Sequence, residues 1–326
     1  MARRSRSRPL VAAALVLLAL ARAPGAVPYA YITDQGSDDV AVLDLADGTR
    51  VATLKVGHAP VGVAVLAQPA RVFVTSPESH DVQVIARGAT PRTDRVEARL
   101  AAGELPVGIA VDAGAARVYV GDMSAGRLLV FDANSLQPAG SVTIGRGPGG
   151  IAVDAGAGRV YVADRDDDAV AVVDTRTLAR GPDIAVGQHP FGLALDAALR
   201  RLYTANVYGN SVSVVDLAAG RRIADIAVGA APYCLLLHPG LHRLYVSNQH
   251  DDSISIIDTQ TLQVVATVAT GGYPEGMDLA PDGNSLYVVN WMDDTVSEHD
   301  ARSGKLVRHF AGGRNNRGMG NFLVPK

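Results

Sequence analysis

The chain has 326 residues, with 30 Lys and Arg against 33 Asp and Glu, a formal net charge of −3. That balance excludes a binder of the nucleic-acid backbone, which needs a basic face. The lone cysteine, Cys234, excludes an intramolecular disulfide, and the lack of a Cys-x-x-Cys-His segment excludes covalent c-type haem attachment.

The chain opens with Arg3, Arg4, Arg6 and Arg8 and then the apolar run Leu10 to Ala21. A charged head before a short apolar run predicts a secretory leader over residues 1–25, cut between Ala23 and Ala26. The run is shorter than the roughly 20 apolar residues that cross a bilayer, so no transmembrane anchor is expected. The leader holds five arginines and no acid, which leaves 25 basic against 33 acidic residues and a net of about −8 after it. Residues 26–326 are expected to form one domain, exported to the periplasm or secreted, and monomeric.

After the leader comes a strand, Tyr29-Ala-Tyr-Ile-Thr33, and then a unit that repeats to the end of the chain. A proline recurs at Pro60, Pro106, Pro148, Pro190, Pro232 and Pro274, in one step of 46 residues and four of 42. A glycine two places later recurs at Gly62, Gly108, Gly150, Gly192 and Gly276, with Cys234 in its place once. An aromatic recurs at Tyr31, Phe73, Tyr119, Tyr161, Tyr203, Tyr245 and Tyr287. Each unit holds four short runs rich in Val, Ile and Tyr, such as Ile151–Val153, Arg159–Ala163, Val170–Asp174 and Asp183–Val186, separated by Gly, Asp and Asn turns. A period near 42 with four strands per unit predicts an all-β, seven-bladed β-propeller of four-stranded blades.

The first strand of the first blade would fall inside the leader, while the last unit ends in a strand without a blade. Met319 to Val324 is therefore expected to complete the first blade and leave the ring without an open edge. A four-residue insertion near Arg87 to Asp94 lies between third and fourth strands and is expected to be dispensable.

The segments Tyr161-Val-Ala-Asp164, Tyr203-Thr-Ala-Asn206, Tyr245-Val-Ser-Asn248 and Tyr287-Val-Val-Asn290, with third strands ending in Asp44, Asp132, Asp174, Asp216, Asp258 and Asp300, resemble the YVTN-repeat β-propellers. That resemblance implies an exported propeller and, more distantly, kinship with propellers that hold d1-type haem.

In a propeller, the loops between blades and the loops between second and third strands share one face. On it are expected the ligand-binding candidates His58, Arg146, His189, Tyr233, Tyr273, Trp291, Arg314 and Arg317. Arginine's planar fork suits carboxylates, and Tyr233, Tyr273 and Trp291 would add flat apolar surface. The repeated Asp34, Ser76, Asp122, Asp164, Asn206, Asn248 and Asn290 are expected to bond turn backbone. Asp164, Asp166 and Asp168 have the alternate spacing of a calcium loop but lack its glycine and distal glutamate, which favours a solvated turn.

No nucleophile elbow, zinc-protease motif or phosphate-binding glycine loop occurs, so no catalytic residues and no cofactor are assigned. The expected function is a non-enzymatic binding or assembly platform whose partner is a periplasmic protein or a small anionic ligand. A haem or metal accessory role, with His58 or His189 as ligand, is the alternative, and a lactonase-like hydrolase the third.

Overall fold

The computed structural model describes residues 28–326; the predicted leader and its cleavage site lie outside them. Seven antiparallel sheets form a ring, each strand bonded to its sequence neighbour. Blade 4 is representative, with an inner strand Pro148–Asp154, then Arg159–Asp164, Ala169–Asp174 and an outer Ile184–Ala185. Its outer strand is shorter than the expected Asp183–Val186, because Pro182, which has no N–H for the ladder, precedes it.

The repeated residues fall into place for steric reasons. The second-strand aromatics are buried and pack blade against blade. Each inner strand bulges just after its proline, as between Pro148 and Ile151. A Cβ on Gly150 in that bulge would stand 2.4 Å from the Phe191 carbonyl of the next inner strand, so the crowded axis demands glycine. Third-strand aspartates cap their turns: Asp174 Oδ1 accepts from the Arg176 and Thr177 N–H groups at 3.0 and 2.9 Å.

Blade 2 departs from this rule at Ala86, and the insertion supplies the missing carboxylate. Asp94 accepts from the Gly88 N–H at 2.8 Å and from the buried Tyr31 hydroxyl of blade 1. The insertion therefore braces two blades, contrary to the expectation that it is dispensable.

Ring closure holds with one correction. Tyr29–Asp34, Asp39–Asp44 and Thr49–Lys55 of blade 1 are completed by two short strands, Asn316–Arg317 and Leu323–Val324. The expected continuous strand from Met319 is broken. Met319–Gly320 swings out of the sheet and pairs in parallel with Gly62 and Val63 of blade 2. Gly320, at φ +105°, permits the turn, and the buried Phe322 brings the chain back, its carbonyl accepting from Tyr31 N–H at 2.9 Å. The closing segment thus bridges two blades.

Candidate functional site

The face that carries the interblade loops is assembled by one repeated contact. The residue that opens the inner strand adopts a left-handed conformation before the proline at Ala59, His189, Ala231 and Tyr273 and before Asn316 at Asn315, with φ between 50° and 58°. Each donates its N–H to a side chain on the preceding blade's turn: Ala59 to Asp38, His189 to Asp168, Ala231 to Asn210, Tyr273 to Asp252 and Asn315 to Asp294, at 2.6–3.0 Å. A non-glycine residue in this conformation needs such support.

The ring of strand-end residues divides by chemistry. Asn206 Nδ2 donates to the hydroxyls of Ser211 and Ser213, both at 2.9 Å, and Asn248 does the same to Ser253 and Ser255 at 3.0 Å. Asp122 accepts from turn backbone at Leu105 and Ala125, as expected. Asp34 and Asp164 are buried, face no such donor, and are pushed up to about 7 and about 6, burial being the largest cause. Arg50 stands 3.4 Å from Asp34 and pulls the other way.

At the mouth of the axis the residues after Pro60, Pro106, Pro190 and Pro232 gather with Met319 of the closing segment. Val61, Val107, Phe191 and Met319 form a buried cluster there, with Tyr233 stacked on Phe191 at 4.2 Å between ring centroids. Glu275 and Arg317 occupy the corresponding sites in blade 7 and the closing strand. Arg317 Nη1 meets both Glu275 oxygens at 2.9 and 3.0 Å, and Gln249 donates to Glu275 at 2.9 Å. The Trp291 ring covers this pair, with Arg317 Cζ 4.7 Å from its centroid. Burial pushes the Glu275 carboxyl up to about 7, against the pull of Arg317. Beneath this roof the inner strands line an axial cavity of about 560 Å³ whose walls include Val111, Ile151, Val153, Leu193 and Leu235.

The eight predicted residues therefore divide into three groups. Tyr233, Trp291 and Arg317 meet in the roof, and Tyr273 joins them edge-on to Trp291 at 5.0 Å. His189 stands apart, stacked on Tyr208 at 3.9 Å, and burial, with help from Arg165, lowers its pKa. His58, Arg146 and Arg314 lie on the open surface, where His58 Nδ1 meets Asp38 at 2.8 Å and Arg146 is clamped by Asp167 at 2.6 Å. Arg314 and Arg317 do not act together: Arg317 is occupied by Glu275, and the Arg314 side chain makes no bond among the described residues.

The three aspartates of the calcium-like turn also diverge. Asp166 pairs with Arg165, Asp168 holds His189 N–H, and Asp164 is buried. Among the described residues no group of three or more His, Cys, Asp or Glu side chains is placed to hold a metal ion. Cys234 is packed under the roof, where burial, and next the Glu275 carboxylate, push its thiol pKa up, which keeps it protonated and unreactive.

Sequence reading missed Phe191 and Met319 in the roof and Tyr208, His250 and Met292 on the surface. Phe191 was open to detection, since it lies one place after a repeat proline. Tyr208 and Met292 occupy second positions in polar turns whose other copies hold polar or small residues, and they are 69% and 65% exposed.

The fold and this roof define the class: the protein is a seven-bladed β-propeller. The profile of a family described as YNCE-like beta-propeller matches residues 221–322, the stretch from the outer strand of blade 5 to the closing segment. No curated protein matches the chain. Among solved structures, a functionally unknown protein from Desulfotomaculum acetoxidans is similar at TM-score 0.79 and 14% identity, over 91% of this chain and 98% of that one. Hydrazine synthase from Kuenenia stuttgartiensis is similar at TM-score 0.69 and 20% identity, over 78% and 87%. The dihydro-heme d1 dehydrogenase NirN, solved in complex with DHE, is similar at TM-score 0.65 and 16% identity, over 89% and 74%. At these identities the likeness is one of fold. Among the described residues no helix is long and apolar enough to cross a membrane.

Proposed function

We propose that the protein is an exported, non-enzymatic platform that binds a periplasmic protein through the interblade face of blades 5–7. The observation that carries this reading is the apolar surface there: Tyr208 and Met292 stand 69% and 65% exposed beside His189, Tyr273 and Trp291. Aromatic residues and methionine are enriched at interaction surfaces relative to the rest of a protein's exterior. Arg314, exposed and without an ion pair among the described residues, adds a cation at the rim, which suits an acidic group on the partner better than a buried anion. The arginine-led apolar run at residues 1–25 supports export, and the Tyr-x-x-Asn segments support kinship with the YVTN-repeat propellers.

The cofactor-linked alternative draws on the neighbour that binds DHE. The residues fit it poorly, because the roof of Phe191, Tyr233 and Met319 fills the axis mouth, while His58 and His189 are engaged by Asp38 and Tyr208. A hydrolase has still less support, since among the described residues no group of three or more His, Cys, Asp or Glu side chains is placed to hold a metal ion.

Photo-crosslinking side chains placed at Tyr208, at Met292 and, as a control, at Arg92 on the opposite face would test the proposal in cells exporting the protein. One discrete adduct from the two upper positions and none from Arg92 is expected; equal labelling of both faces overturns it. An absorption band in the visible spectrum of the purified protein would instead favour the cofactor reading.

A further inference from the structure

The outer strand of each blade leaves one row of backbone N–H and C=O groups without a partner strand, and such an edge pairs with other chains unless something blocks it. Six blades carry a block. Thr49–Lys55 has Arg50 and Lys55; Arg95–Ala101 has Arg95, Glu97 and Arg99. Pro138–Thr143 opens on proline and holds Gly140, and the blade 4 strand is two residues long. Arg221–Ala227 carries Arg221, Arg222 and Asp225, and Leu306–Ala311 carries Arg308 and His309.

Blade 6 has none of these. Its outer strand Gln263–Ala269 reads Gln-Val-Val-Ala-Thr-Val-Ala over seven residues, with no charge, proline or glycine. Val264 and Val265 are exposed, Val265 by half. High β-propensity, no charge and a free edge together make a strand built to pair.

We infer that Gln263–Ala269 is an edge-to-edge dimer interface, pairing antiparallel with the same strand of a second copy about a two-fold axis at Ala266. The sequence suits self-pairing: the axis places Val264 opposite Val268 and Val265 opposite Thr267, so β-branched side chains meet across the new ladder. Gly304 of blade 7 packs on Val268, so the exposed Arg302 and Lys305 border the C-terminal end of the strand. Asp258, paired in register with Gln263 and already held by Arg243, borders its N-terminal end. An antiparallel two-fold makes each of these contacts twice, as a closed isologous contact requires. The exposed Ile223, Leu306 and Val307 on the adjoining outer strands widen the apolar area that the contact covers.

The test is the mass in solution of the full exported protein, by light scattering or sedimentation across the micromolar to millimolar range. A concentration-dependent dimer is expected, with slowed amide hydrogen exchange at 263–269 as it forms. Val265→Lys puts a charge on the edge at an exposed position; it should leave the melting temperature unchanged and abolish the dimer. A wild-type protein that stays monomeric, a dimer that survives Val265→Lys, or an open-ended aggregate in place of a dimer would each overturn the inference.

Discussion

The junction between blades 4 and 5 and the junction that closes the ring do the same job with opposite chemistry. At the first, small or apolar residues of neighbouring inner strands meet, with Gly150 against the Phe191 carbonyl and Ala152 and Ala194 turned into the packing. At the second the core is ionic. Glu275 holds Arg317, and the buried Asp278, which stands where four other inner strands carry alanine, accepts the N–H groups of Phe322 and Leu323, both at 2.9 Å. A covalently continuous junction needs only to pack, whereas a junction made by a returning segment must also select its register. Hydrogen bonds to buried carboxylates do that, because a slipped register would leave them unpaired.

The sharpest way to break this difference is to delete Met319–Lys326. The truncation removes the buried Phe322, Leu323 and Val324 and leaves Asp278 without acceptor work, so a loss of at least the 2–5 kcal/mol typical of large core deletions is expected in urea unfolding. An unchanged midpoint would refute the arrangement.

Arg317→Gln comes next. It strands the Glu275 carboxylate in the roof and should cost about 3–5 kcal/mol, while the double change Arg317→Leu with Glu275→Leu should recover most of it. If the single and double variants melt together, the pair does not set the junction.

Asp278→Ala installs the residue found at Ala152 and Ala194. It should cost about 2–6 kcal/mol, because two buried N–H groups lose their acceptor at about 1–3 kcal/mol each. The same junction predicts a pH dependence. Burial pushes Asp278 up to about 7, so between its ordinary value near 3.8 and about 7 the folded protein keeps a proton that the unfolded chain has lost. Stability should therefore fall as pH rises through that window, by up to about 1.4 kcal/mol per pH unit from this group. Asp278→Asn should flatten that part of the curve, and a slope unaffected by it would remove Asp278 as the cause. Smallest of all is Arg314→Gln, whose exposed side chain makes no hydrogen bond or ion pair among the described residues, and which should stay within about 0.5 kcal/mol of wild type.

The fold was legible in the sequence because a propeller repeats its reasons. Seven aromatics in register and six prolines announce seven sheets, and each glycine after them marks the same crowded bulge. The site was legible only in part. Arg317, Tyr233 and Trp291 were visible as departures from the repeat, but nothing in their spacing said that Glu275 would take the arginine. That choice depends on depth: Glu275 is 1% exposed, and a buried carboxylate claims the nearest cation. Arg314, two residues before Asn316, is identical in type but exposed, and makes no ion pair among the described residues. The swing of Met319–Gly320 into blade 2 was hidden for another reason, since it answers the geometry of the axis and no local pattern records it.

The split closing strand also fixes an order of events. Tyr29 pairs with Val324 and Ala30 with Leu323, so the first sheet to emerge is the last to be finished. Until then blade 1 has a bare inner edge, and Gly62 and Val63 of blade 2 lack their parallel partner. Contacts this distant along the chain form slowly, after the local hairpins of every other blade. Docking of the tail is then the step that commits the ring, and a chain stalled before it would hold six sound blades and one sticky edge.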